Sequence, residues 1–232
     1  MKKWYFYLAV IFAVAVVTLG LCMDLDQTYS MGGREKILIY ATPIIVLFIE
    51  MACRMKRTQD TEEKKRIQKR SFAYMFAVYL IAAATLLFLG SSFRRTFADR
   101  NIWQVQPFTK KHFEMYCNLI PFKTIRMYLH AYTSHTISRR LIVANILGNL
   151  AAFMPCAIFL PVLFPQKMTK LRYFIPAVAG IVIFAETVQF FTMVGQADID
   201  DVILNVLGAC LLYALRPGIR FLEEKMGENY LT

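Results

Sequence analysis

The sequence predicts an all-α polytopic membrane helix bundle of about six transmembrane helices. Two observations carry this. More than half of the 232 residues are hydrophobic, at 57%, and the chain holds six uninterrupted apolar runs near the length of about 20 residues that a helix needs to cross a bilayer. A third orients the bundle: the short loops expected on one side are basic and the short turn between the last two runs is acidic, which by the positive-inside rule puts both termini in the cytoplasm.

The first run, from about Trp4 to Cys22, follows a basic start but lacks a small-x-small cleavage site, so it reads as an uncleaved anchor. A polar turn with Asp24, Asp26 and Gly32-Gly33 leads to a second run, from about Ile37 to Cys53. Glu50 lies one helical turn before Arg54, the spacing of an interfacial ion pair. Residues 54–70 then carry eight Lys or Arg, reading as a cytoplasmic solvated helix or linker. The third run, from about Phe72 to Gly90, completes an amino-terminal region of three spans over residues 1–92.

Alternation places residues 93–140 outside, although they contain nine Lys or Arg; longer loops obey the charge rule less strictly. Within them Phe122, Ile125, Leu129 and Tyr132 recur at helical spacing with Lys123 and Arg126 opposite, and Pro121 suits a first helical turn. That pattern predicts an amphipathic helix on the outer membrane surface. The fourth run, from about Leu141 to Phe164, places Asn145 and Asn149 on one face, while Gly148 and Ala152 give a small-xxx-small spacing for close helix approach. Pro155 and Pro161 would kink or end it. The fifth run, from about Tyr173 to Val194, and a sixth ending near Leu215 complete a three-span region over residues 141–215, with a basic cytoplasmic tail at 216–232.

The formal charge of +11 sits mostly in loops beside apolar runs, where it meets anionic lipid rather than nucleic acid. Five cysteines without a CxxC pair imply no disulfide framework. His112, His130 and His135 lack the spacing of a zinc site, and neither a phosphate-binding glycine loop nor a nucleophile elbow is present.

Polar groups inside apolar runs mark functional sites by default. Threaded through the expected topology, Asn145 and Asn149, Glu186 and Gln189, and Asp198, Asp200, Asp201 and Asn205 reach one depth near the outer ends of the last three runs. Asp198, Asp201, Asn205 and Gly208 recur at three, four and three, sharing a stripe from which Asp200 points elsewhere. Asp198, and even Asp200, can instead cap a helix, and the amides can act as interhelical glue. Crowded carboxylates can split into an acid and a base, with Glu186 and Asp201 the catalytic candidates, or hold a divalent cation; no resident cofactor is implied. They can also hydrogen-bond a polar head group.

NLIPF at Asn118–Phe122, NILGNLAAFMP at Asn145–Pro155, ETVQ at Glu186–Gln189 and DIDDVILNVLG at Asp198–Gly208 together resemble the VanZ-like membrane proteins, in the family's order and approximate spacing. The resemblance lies within residues 93–215 and is strongest from Asn118 to Leu215. It implies a multi-pass protein of the bacterial plasma membrane, in a class whose founding member raises resistance to the lipoglycopeptide teicoplanin. The matching polar residues are Asn118, Asn145, Asn149, Glu186, Gln189, Asp198, Asp201 and Asn205; Gln196 stands where family members often carry Arg. Membrane lipids, and a lipid-linked cell-wall precursor or a lipoglycopeptide, are the partners this implies. An intramembrane enzyme acting on a lipid-linked substrate, and a membrane scaffold, are the alternatives.

Overall fold

A computed structural model describes residues 4–25, 32–88, 109–192 and 195–225 of the chain. The polar turn around Asp26, the loop up to residue 108 and the tail after Lys225 lie outside the described residues. The architecture is all-α apart from two short strands, and the chain divides into two units, Met1–Arg95 and Thr96–Leu231.

The first unit holds α1 (Trp4–Leu25), α2 (Gly33–Arg57) and α3 (Thr61–Phe88). The basic segment is less of a loop than its charge suggests, because α2 continues through Arg57 and α3 starts at Thr61. Asp60 stops the turn and starts the next helix: its Oδ1 accepts the Glu62 N–H at 2.9 Å. Gly20 of α1 lets Tyr40 of α2 approach, since a Cβ there would stand 3.2 Å from the Tyr40 ring; Tyr40 is 1% exposed. Arg54 Nε lies 3.6 Å from Glu50 Oε1, the expected ion pair. The Arg70 guanidinium covers the Phe6 ring at 4.1 Å, as a cation–π contact does. Lys36, which sequence reasoning passed over, is buried and donates from Nζ to the Thr85 carbonyl at 3.3 Å, satisfying a free carbonyl near the end of α3.

The second unit contains α4 (Lys110–Tyr116), β1 (Cys117–Asn118), α5 (Lys123–Ser134), α6 (Arg139–Ala152), α7 (Cys156–Leu163), α8 (Pro165–Met168), α9 (Leu171–Thr192), β2 (Ala197–Asp198) and α10 (Ile199–Lys225). The fourth expected span is a broken helix. Proline at 155 has no N–H to donate to Ala151, and the chain turns through Phe153–Pro155 before α7 begins. Pro161, in contrast, sits buried inside α7 without ending it. Strands β1 and β2 pair in parallel, Cys117 with Ala197 and Asn118 with Asp198, and this pairing joins segments some eighty residues apart. Tyr213 of α10 donates to the Thr169 carbonyl at 2.5 Å and stacks near Phe174, fastening the other end of the unit.

Among the described residues, five helical stretches are long and apolar enough to cross a membrane: Trp4–Met23, Arg34–Arg57, Thr61–Phe88, Arg139–Leu163 and Leu171–Thr192. The expected sixth, α10, has its apolar stretch bounded by Asp201 at one end and Arg216 at the other. Outward-facing apolar side chains are abundant, with Leu38 and Phe184 each 70% exposed. Patches of that extent are foreign to water-soluble monomers and natural in lipid.

The close approach of helices comes from a different glycine than the small-xxx-small spacing suggested. Gly148 has open space around it, whereas a Cβ on Gly208 of α10 would run into the Leu150 backbone carbonyl of α6. The face of α6 that meets α10 is the one carrying Asn149, which bonds Asp201, and Gly148 lies about 100° round the helix from it. Gly208→Ala should therefore cost about 1–3 kcal/mol by forcing the helices apart. Gly148→Ala should be neutral or stabilising by up to about 1 kcal/mol. Thermal unfolding of the two purified variants in detergent, compared with the parent, measures the difference.

Candidate functional site

The local geometry starts from two helix amino termini that converge. The first N–H groups of a helix have no partners inside it and carry the positive end of its dipole, so carboxylates are stabilising there. Asp198 sits immediately before α10 and accepts the Asp200 N–H at 2.9 Å, an N-cap as expected. Its two oxygens also reach across the unit. Oδ1 accepts from Asn118 Nδ2 at 2.9 Å, and Oδ2 accepts from the Thr124 hydroxyl.

Asp200 leaves the Asp198–Asp201 stripe, as its helical position requires, but it points into protein. It is fully buried and caps a helix other than its own: its oxygens accept the backbone N–H groups of Phe122, Thr124 (2.8 Å) and Ile125 (3.1 Å) at the start of α5. This holds Phe122 in the left-handed region, φ 63°. Pro121 accordingly lies in the turn before α5 rather than in its first helical turn.

The face that α5 turns inward is its polar one, and most of the expected apolar stripe is left exposed. Thr124 and Tyr128 face the site and Ala131 is buried, while Phe122, Leu129 and Tyr132 are exposed. The carboxylates at the start of α10 need donors, and α5 supplies them from its polar side.

These elements enclose a cavity of about 450 Å³. Asn118 and Asp198 line it at the paired strands, Asn145 and Asn149 from α6, Asp201 from α10, and Gln189 from α9, where it packs against Gly195. Asn149 Nδ2 donates to Asp201 Oδ1, and Asn145 Nδ2 donates to the Tyr128 hydroxyl at 3.1 Å. Six of the eight predicted binding residues thus meet at one cavity. The other two stand behind it. Glu186 is buried and accepts the Asp198 N–H at 3.1 Å, so it braces β2 from the rear. Asn205 is buried below Asp201 and donates back to the Asp201 carbonyl at 2.7 Å.

Sequence reasoning missed Cys117, Lys123, Thr124, Met127, Tyr128, Gln196 and Glu114, which also line the cavity. Their signal was present only in part: the sequence set Lys123 opposite the apolar stripe of α5, and it is a cationic residue of the cavity lining where Gln196 supplies no charge. His130 is exposed, and His135 ends α5 at φ 55° beside Arg139; the His112 side chain lies outside the described residues. Among the described residues, no three His, Cys, Asp or Glu side chains converge as a metal site requires. The oxygens of Asp198 and Asp200 are taken up by N–H and O–H donors instead.

On β1 and α5, outside the spans, Cys117 and Tyr128 have shifted acidities. Burial, and secondarily the Asp198 charge, push the Cys117 thiol up. Burial also raises the Tyr128 phenol, against the Asn145 hydrogen bond, with Asp201 and Asp198 adding to the rise, so its hydroxyl keeps its proton.

Asp200→Ala removes one acceptor group from three N–H donors and should destabilise the protein by about 2–4 kcal/mol, read as a lower unfolding temperature in detergent. Asp200→Asn should recover part of the loss. In a variant keeping Cys117 as its only cysteine, maleimide labelling should be slow at neutral pH and rise at a higher pH than for a free thiol, because the negative charge and burial both disfavour thiolate. Asp198→Asn should move that rise to lower pH.

No curated protein and no solved structure matches this chain significantly. The family described as VanZ/LLP1 matches residues 76–220, more than half of the chain and all of the elements that build the cavity. With the four motifs brought together around one cavity and the match extending well beyond them, the chain belongs to the VanZ-like family.

Proposed function

We propose that the cavity receives the polar head group of a lipid-linked envelope molecule or a lipoglycopeptide at the outer leaflet of the bacterial plasma membrane, and so alters susceptibility to teicoplanin-type antibiotics. The observation that carries this reading is the pairing of a cavity of about 450 Å³, lined by amides, carboxylates and hydroxyls, with an exposed apolar border. Leu119, Ile120 and Phe122 are 64%, 61% and 50% exposed on the segment leading into α5, and Met127 both lines the cavity and is exposed. An amphiphile needs both surfaces: polar partners for its head and apolar contact for its chain. Family membership supports a role at the envelope, and the positive-inside rule favours the outer side for the cavity.

The alternative enzyme, with Glu186 and Asp201 as acid and base, has less support. A general acid or base must come within hydrogen-bond reach of the substrate. Glu186 has its carboxylate engaged with the β2 backbone and does not line the cavity, whereas Asp201 does.

Asp201→Asn and Tyr128→Phe should insert normally and lower teicoplanin tolerance conferred by the expressed protein at least severalfold. Membrane abundance measured alongside the inhibitory concentration separates loss of function from loss of protein. Unchanged tolerance in both variants, at normal abundance and with a tolerant parent, would count against the head-group reading.

A further inference from the structure

The free polar atoms of the cavity are unevenly distributed. A carboxylate can only accept, so the Asn149 amide nitrogen faces Asp201 Oδ1, and this leaves Asn149 Oδ1 and Asp201 Oδ2 without partners among the described residues. Asn145 uses Nδ2 on Tyr128 and likewise leaves its Oδ1 unfilled. Three unfilled acceptors therefore come from neighbouring positions of α6 and α10. Unfilled donors come from another element: Lys123 of α5 lines the same cavity and its ammonium has no partner among the described residues, and the Tyr128 hydroxyl, accepting from Asn145, still has its proton to give.

The acidic groups alone would not identify a ligand, because Asp198 is saturated by Asn118, Thr124 and Asp200. The identification comes from the unfilled set. A primary ammonium carries three donors and no acceptor, matching three acceptor oxygens of which one is charged. A phosphate or carboxylate carries acceptors only, matching Lys123 and the Tyr128 hydroxyl. A bare anion is disfavoured, since Asp198, Asp201 and Glu114 outnumber Lys123 around the cavity, Glu114 being shared with Lys110 at 3.9 Å.

We infer that the cavity selects a zwitterionic head group, its primary ammonium held by Asp201, Asn149 and Asn145 and its anionic group by Lys123 and Tyr128. This rests on the head-group reading above and narrows it to one chemical class, which two sources present: an aminophospholipid and an amine-bearing lipoglycopeptide.

The test uses the purified full chain in detergent, with Cys117 as the only cysteine and its slow alkylation at neutral pH, where the probe amine is protonated, as the readout of occupancy. The probes are short-chain phosphatidylethanolamine, its N-acetyl derivative, phosphatidylglycerol with the same chains, and teicoplanin with and without N-acetylation of its amine. At least one amine-bearing probe should protect Cys117, and the probe that does so identifies the source. Its N-acetylated form should need about tenfold or more higher concentration for equal protection, the loss of a charge-assisted contact.

Asp201→Asn, which keeps an oxygen for Asn149, should weaken the amine form about as much while leaving the N-acetyl form unaffected; Lys123→Gln should weaken both. Equal protection by amine and N-acetyl forms overturns the ammonium assignment but leaves head-group binding standing, and an unaffected Lys123→Gln variant overturns the anionic half. Protection by none of the probes overturns both readings.

Discussion

The Asp200 carboxylate, buried and accepting three backbone N–H groups from the start of α5, is the contact on which the rest of the second unit depends. It brings together two helix amino termini that would otherwise meet with like partial charges and unfilled donors. Asp198 completes the junction by capping α10 and accepting from Asn118 and Thr124. Glu186 closes it from behind, on the Asp198 N–H. Three acids are thereby accounted for by backbone and side-chain donors, and the junction places β1 beside β2.

That arrangement separates structural acids from an available one. Asp201 is one residue past the junction, where the helical turn carries it away from Asp200 and toward Asn149. Only one of its oxygens is engaged by protein. A cavity with one half-engaged carboxylate, three amide side chains from α6 and α9, and a lone ammonium is suited to binding by several modest contacts. Its neighbouring apolar tip at Leu119–Phe122 exists because the same Asp200 contact holds the turn that presents it.

The first unit obeys different constraints. Its interior is small and apolar around Tyr40, Val17, Val78 and Ala82, and the charges that approach it are met by partners, Glu50 by Arg54 and the Arg70 guanidinium by the Phe6 ring, while most others are exposed. Lys36 is the exception, a buried cation met by a helix-end carbonyl. Such pairings offset part of the desolvation cost of ionisable groups near apolar surroundings, although both Glu50 carboxylate oxygens and one Arg54 terminal nitrogen are buried without a hydrogen-bond partner among the described residues.

Apolar period, proline and charge act over a few residues, so the long apolar helices and the family were legible in the sequence, whereas the short α4 and α8 were not. Helical spacing, a local quantity, also placed Asn149 on one face of its span and Asp201 on a stripe of another at the same expected depth, and packing then set the two faces together. The Glu50–Arg54 pair and the break at Pro155 were legible for the same reason. Tertiary packing alone set the contacts between segments far apart in sequence: Asp200 capping α5, the pairing of Asn118 with Asp198, the turn of α5 that brings Lys123 and Tyr128 to the cavity, and the choice of Gly208 over Gly148 for the close approach. No period within either segment records the other, and the donors left unfilled at one helix terminus have no visible partner until the second helix is set against it.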